Sequence, residues 1–371
     1  MRMSLSVLFT LFCVGFVLPA RAGQHAAPHA AGAPDSRVTE RAVLFQSGDA
    51  KLAGTVLVPP GERHPAIVIL HGSGPATRDF VLYRSAADLF AKHGFAVLLF
   101  DKRGTGESGG SYVEAPDLRV SATDATAAVR FMAAQPEVDA SRLGVWGISQ
   151  GGWVAQILGA ECPEVKFVID VSGPGVSPLE QNVYSRSMEL AEQGFSLEEV
   201  GEVIRVRRLL WTYYQTERGR DEIEHAWTWA KSRPWFAKMK WPDAPPMATE
   251  LSDDQKHFYR VHCAYEPATV VARIKVPVLY LLGGKDRHIP VPESQAALTA
   301  AFAKSGNPDV TIRVFPNAGH GIQTVTGPAE CLTCMKEHHE SGKFPAFEMD
   351  PDYAPTMIAW LEKRFSGGAK R

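Results

Sequence analysis

The chain has 371 residues, 45% of them hydrophobic, and its 39 lysines and arginines are matched by 41 aspartates and glutamates for a formal charge of −2. A charge so near balance argues against a nucleic-acid partner, and the apolar share excludes wholesale disorder. Length alone suggests two domains, or one α/β domain carrying an inserted subdomain.

Residues 1–22 read as an export signal: Arg2 opens it, Leu5–Leu18 is nearly all apolar, and Ala20-Arg21-Ala22 offers a small-x-small cleavage pattern. The apolar run is short for a membrane span and no second one follows, so the expectation is a periplasmic or secreted protein without a span after cleavage. Residues 23–37, rich in Ala, Pro, His and Gly, read as a flexible leader.

Beyond the leader, Ala42–Phe45 and Leu52–Val58, joined around Gly48-Asp49, predict an antiparallel hairpin. Short apolar runs then stop at Gly, Pro, Asp or Asn: Ala66–Leu70, Ala96–Phe100, Leu143–Trp146, Phe167–Val171, Val278–Leu282 and Thr311–Phe315. Such runs are what strands covered on both faces look like. Helical spacing occupies Ala86–His93, Ser121–Ala134, Gln150–Ala160 and Pro355–Phe365. The alternation predicts an α/β fold, a mostly parallel sheet with helices on both sides.

The strand pattern lapses over residues 178–269, where Ser196-Leu197-Glu198-Glu199 is a capping box opening a helix with Val200, Val203, Ile204, Arg207 and Trp211 on one face. This stretch reads as a helical cap inserted between two parts of one core, residues 38–177 and 270–371. Its aromatics (Trp211, Trp227, Trp229, Trp235 and Trp241 among them) either pack the insert or line an acyl pocket, and packing is the stronger reading.

Three strand ends carry the chemistry. Gly147-Ile148-Ser149-Gln150-Gly151 follows a strand and opens a helix, the context of a nucleophile elbow, where glycines let strand and helix approach and the serine is forced into a strained turn. A serine hydroxyl is a poor nucleophile at neutral pH and needs a base, which His320 supplies from the loop after the last strand. Asp286, just past the strand Val278–Leu282, is the carboxylate that orients the imidazole, with Asp170 the alternative acid and His288 a decoy base. The remaining cysteines add little. Cys331 and Cys334 suit a disulfide or two thiols better than a metal knot with His338 and His339, whose spacing matches no common zinc pattern. A Cys162–Cys263 pairing stays open.

HGSGP at His71–Pro75, DKRGTGES at Asp101–Ser108, GISQGG at Gly147–Gly152, GGKD at Gly283–Asp286 and AGHG at Ala318–Gly321 occur in this order. With them the chain resembles the α/β-hydrolase superfamily over nearly all of Val38–Phe365. It looks most like exported bacterial serine esterases and acyl hydrolases related to the prolyl-oligopeptidase and serine-aminopeptidase branches. The resemblance implies an α/β-hydrolase fold, a carboxylic ester, thioester or amide as substrate, and no cofactor. It also implies an oxyanion hole from the N–H groups of Ser73 and Gln150, with Asp101–Gly104 as structural support. The expected activity is esterase action on modest acyl esters; a peptidase of short peptides and a noncatalytic binding protein are the alternatives. Ser149 at the elbow excludes an aspartate-nucleophile dehalogenase or epoxide hydrolase.

Overall fold

The structure, a computed structural model, describes residues 38–113, 117–325 and 348–365. The export signal, the leader, Cys331, Cys334, His338 and His339 lie outside the described residues.

One eight-stranded sheet organises the core: β1 (Thr39–Ser47), β2 (Ala50–Val58), β3 (His64–Leu70), β4 (Ala96–Phe100), β5 (Val138–Ile148), β6 (Val168–Val171), β7 (Val278–Gly283) and β8 (Val310–Phe315), in the order β1-β2-β4-β3-β5-β6-β7-β8. The hairpin β1–β2 turns at Gly48, whose φ of 54° suits a residue without Cβ. β2 pairs antiparallel with β4, and from β4 to β8 every pairing is parallel.

Alternate side chains of the central strands feed two cores. Ala66, Val68 and Leu70 pack beneath helices α2 (Leu118–Ala133) and α3 (Gln150–Glu161), whereas Ile67 and Ile69 pack with α1 (Val81–Lys92) on the opposite face. Because the side-chain period of a strand is two, a continuous apolar run is what two covered faces require.

Between β6 and β7 the chain forms α4 (Pro178–Glu192), α5 (Leu197–Thr216), α6 (Arg220–Lys231), α7 (Phe236–Met239), α8 (Asp253–Arg260) and α9 (Pro267–Val271). Both halves of the Ser196/Glu199 capping box are formed at the start of α5. Most of this insert has a core of its own: Val203, Trp211, Tyr214, Trp227 and Trp235 are each almost fully buried in it, and Trp227 stacks on Trp241 with ring centroids 4.8 Å apart. The insert aromatics therefore chiefly pack the insert.

After β7 come α10 (Val291–Ser305), which joins the α2–α3 side, and α11 (Tyr353–Phe365), which joins the α1 side. Cys162 packs under the sheet with its Sγ 3.2 Å from a Glu164 oxygen, and Cys263 is buried in the insert, so the two form no disulfide. Among the described residues no helix is long and apolar enough to cross a membrane, and no group of three or more potential metal ligands occurs.

Candidate active site

At the end of β5 the backbone reverses into α3 within one residue. Ser149 takes φ 56° and ψ −120°, a left-handed conformation that costs a side-chain-bearing residue on the order of 1–3 kcal/mol. The surrounding glycines make the turn possible. A Cβ on Gly147 would sit 2.2 Å from the Gly151 carbonyl oxygen, and one on Gly151 would sit 2.5 Å from that of Leu70. Strand, turn and helix are in backbone contact with no space for side chains between them. Ser149 N–H is held by the Val171 carbonyl at 2.9 Å, and Gly152 N–H returns to the Ser149 carbonyl at 2.8 Å. The residue is half-buried.

The loop after β3 lies against this serine, since a Cβ on Gly72 would stand 3.6 Å from that of Ser149. The Gly72 N–H donates to the Tyr83 hydroxyl at 3.0 Å, so this amide is already engaged. Gln150, buried at the first position of α3, presents its N–H at a helix N-terminus, where no intrahelical acceptor exists. Lys102 ties the two segments together: its Nζ donates to the Gly72 carbonyl at 2.7 Å, the Gly74 carbonyl at 3.2 Å and Gln150 Oε1 at 3.1 Å. Beneath them His71 is buried, and burial first, then the Lys102 charge, push its pKa down to about 3, so the ring stays neutral.

A second pair forms past β7 and β8. His320 Nδ1 lies 2.7 Å from Asp286 Oδ2, with the ring N–H donating to the carboxylate and both side chains buried. The other carboxylate oxygen accepts backbone N–H groups from His288 at 2.7 Å and Ile289 at 3.1 Å, which fixes the aspartate's orientation. The histidine loop is closed by an antiparallel bridge between Ala318 and Thr324, and Gly283 lets it approach, because a Cβ there would meet the Gly319 oxygen at 2.1 Å. The insert braces the acid loop from above: the Tyr184 hydroxyl donates to the Asp286 carbonyl at 3.0 Å and Gln181 Nε2 to that of His288 at 2.7 Å.

Strand β6 links the two halves. On one side Val171 holds Ser149 N–H, and on the other Ser172 N–H donates to the Leu281 carbonyl at 2.8 Å. Asp170, the alternative acid, is fully buried behind the elbow and bonds to Gln156 and to Gly173 N–H, whereas the carboxylate bonded to His320 is that of Asp286. The His288 ring stands 5.0 Å from the His320 ring, and what meets Asp286 from His288 is its backbone N–H. Asp101 works as a brace: it accepts Arg78 N–H and Glu107 N–H, each at 2.9 Å. Lys102 lies in the Asp101–Gly104 stretch read as structural support, though its contacts with the elbow were not foreseen; Tyr83, Tyr184 and Gln181 were not singled out and no motif marks them, because each acts through a contact made only in the folded chain.

A cavity of about 380 Å³ adjoins Gln150, walled by Leu70, Phe100, Tyr112 and Val154, with Asp254 and His257 of the insert over it. A larger groove of about 840 Å³ lies between β1, α2 and α3, and neither cavity is lined by Ser149, Asp286 or His320.

Comparison with known proteins agrees with this architecture. "Thiohydrolase aneE" of Aspergillus aculeatus is 27% identical over 241 residues, 62% of this chain and 71% of that protein. "Esterase EstD" of Thermotoga maritima is 25% identical over 300 residues, 78% of this chain and 62% of its own length. A solved structure of the Pyrococcus furiosus esterase Pf2001 superposes with a TM-score of 0.55 at 19% identity, covering 94% of this chain and 98% of that one, a likeness of fold. The match is to the broad family, and the prolyl-oligopeptidase and serine-aminopeptidase branches remain an expectation of the sequence. The profile described as "Alpha/beta hydrolase family" matches residues 67–330, well over half of the sequence, and this protein belongs to that family.

Proposed function

We propose that the protein is a serine hydrolase that cleaves carboxylic esters, or closely related acyl bonds, through an acyl-enzyme. The observation that carries this reading is the backbone of Ser149: a serine held at positive φ between a strand and a helix is built to present a hydroxyl to a carbonyl. In the proposed reaction Ser149 Oγ attacks the acyl carbon while His320 Nε2 takes its proton. Asp286 holds the Nδ1–H tautomer and stabilises the imidazolium. The negative charge that develops on the carbonyl oxygen is received in this reading by the N–H groups of Ser73 and Gln150. Collapse of the tetrahedral intermediate expels the alkoxide, which takes the proton from His320. Water then repeats the sequence on the acyl-enzyme, giving the acid and restoring Ser149.

Relatives described as an esterase and a thiohydrolase support an oxygen or sulfur leaving group. On the strength of residues 1–22 alone, we place the reaction in the periplasm or outside the cell.

The test is hydrolysis of p-nitrophenyl butyrate and labelling by a fluorophosphonate, with wild type and Ser149→Ala side by side. Both signals are expected to vanish in the variant. Equal rates in the two proteins refute the assignment.

A further inference from the structure

We infer that Lys102 is the positioning residue of the oxyanion hole, holding by its one ammonium group both segments that supply the N–H donors. This rests on the serine-hydrolase reading and extends it to a residue outside the Ser-His-Asp set.

The peptide unit joining Gly72 to Ser73 contains both the Gly72 carbonyl and the Ser73 N–H. No cis peptide bond occurs among the described residues, so these two groups lie in one plane and point in opposite directions. Lys102 Nζ grips the carbonyl at 2.7 Å, the shortest of its three bonds to these segments, and this fixes the direction of the N–H on the far side. The bond at 3.2 Å to the Gly74 carbonyl holds the other flank of Ser73, so the donor residue is clamped before and after. The third bond, 3.1 Å to Gln150 Oε1, reaches the residue that carries the second donor. A lysine ammonium has three N–H bonds, enough to reach the Gly72 and Gly74 carbonyls and Gln150 Oε1 together. Tyr83 adds to the arrangement by occupying the Gly72 N–H, which pins the residue before the Ser73 donor.

The arrangement has an electrostatic consequence as well. A cation on a peptide carbonyl polarises that peptide, making its N–H a stronger donor, and hydrogen bonds in a chain reinforce one another in this way. The effect grows as negative charge develops on the substrate oxygen, so it favours the transition state over the bound ester. The charge acts nearby in the same sense, helping to hold the buried His71 ring neutral. The sequence around Lys102, Asp101-Lys102-Arg103-Gly104, thus divides its work: Asp101 braces its own loop, Arg103 pairs with Asp124 at 2.6 Å and Asp49 at 2.7 Å, and Lys102 turns toward the elbow.

The test compares wild type, Lys102→Met, Gln150→Ala and Ser149→Ala in the full chain. It measures kcat and KM for p-nitrophenyl butyrate, inhibition by an aryl trifluoromethyl ketone, and the thermal midpoint. The ketone is chosen because its adduct with serine carries the oxyanion. Removing a whole oxyanion donor costs about 10²–10³ in rate, and loosening two without removing either is expected to lower kcat of Lys102→Met by about 10- to 100-fold. KM is expected within about twofold of wild type and ketone affinity to fall by the same factor as kcat, because the interaction is made in the tetrahedral state. Unchanged kcat in a folded Lys102→Met, or a fall in kcat with ketone affinity intact, overturns the inference. Gln150→Ala keeps the backbone donor and cuts one of the lysine's bonds, so it decides the matter if Lys102→Met does not fold. The same pairing of kcat with ketone affinity is expected there at roughly 3- to 10-fold, and no change in either refutes the role. Activity surviving in Ser149→Ala would instead bring down the hydrolase reading itself, whereas loss in Ser149→Ala with full activity in Lys102→Met removes the lysine alone.

Discussion

Asp170 gives a sharp quantitative expectation. It lies in β6 with no exposed surface, directly behind the elbow, where a Cβ on Gly152 would come within 2.5 Å of its Oδ1. Burial raises its pKa from 3.8 to about 7, against the opposing pull of hydrogen bonds from Tyr280, Gln156 and the Gly173 N–H. The folded protein therefore keeps this proton to near neutrality, while the unfolded chain releases it at acidic pH. Its contribution to stability is complete below the unfolded value and is lost as pH rises through the folded one. A gap of about three units corresponds to about 4 kcal/mol in all, of which about 2–3 kcal/mol falls between pH 5 and pH 8. Asp170→Asn has no proton to lose. The assay is urea unfolding of the variant and the wild type at those two pH values, followed by tryptophan fluorescence. The variant is expected to gain about 2–3 kcal/mol relative to wild type on going from the lower to the higher pH, whatever its absolute stability. Taking the difference cancels the other titrating groups, which the two proteins share. A gap between the proteins that stays constant across this range refutes the claim that Asp170 is held neutral behind the elbow.

Other substitutions test separate parts of the structure. Asp286→Asn is expected to leave the fold intact and lower kcat by about 10⁴, since the amide stabilises the wrong imidazole tautomer; steady-state kinetics on a p-nitrophenyl ester reads this directly. Gly151→Ala places a methyl group 2.5 Å from the Leu70 oxygen and 2.7 Å from the His71 oxygen, both backbone, so a loss of about 1–3 kcal/mol in unfolding free energy and of fluorophosphonate labelling is expected. Gly201→Ala, on the exposed face of α5 with nothing within 4 Å, should instead raise stability by about 0.5–1 kcal/mol in the same assay. Trp227→Ala removes a ring with 1% exposure from the insert core and should cost about 3–5 kcal/mol in urea unfolding.

What was legible in the sequence was local. The turn at Ser149 needs small residues at Gly147 and Gly151 because of contacts within a few positions of them, so the motif announces the geometry. Strand cores were readable for the same reason: two covered faces leave no room for polar alternation. Boundaries were harder. Helix α1 begins at Val81, before the Ala86 expected, since its N-cap Phe80 makes no side-chain capping bond and gives no start signal. Helix α10 escaped notice because Pro290 and Pro292 flank its start and its alanine-rich run carries little periodicity. The sequence favoured Asp286 with Asp170 as the alternative, since both follow or lie within apolar strands. The fold separates them, by joining one to His320 and walling the other in with Gln156 and Gly173. Lys102 and Tyr83 reach the elbow region across tens of residues of chain, and no local pattern encodes such a meeting.

The place where the insert leaves and rejoins the sheet has a consequence of its own. β6 and β7 are adjacent and paired in parallel register from Val168 opposite Val278 to Val171 opposite Leu281, so the whole excursion departs from and returns to neighbouring strands. Such adjacency makes the chain's closure cost depend only weakly on how many residues are looped out, each doubling adding about 0.6 kcal/mol. A segment with these attachments, largely self-packed around its own tryptophans, is a detachable roof: it can be exchanged for a longer, shorter or differently shaped one while the strand pairings below keep their alignment. An exchanged roof would still have to supply partners for the Asp286 and His288 carbonyls, which Tyr184 and Gln181 now hold.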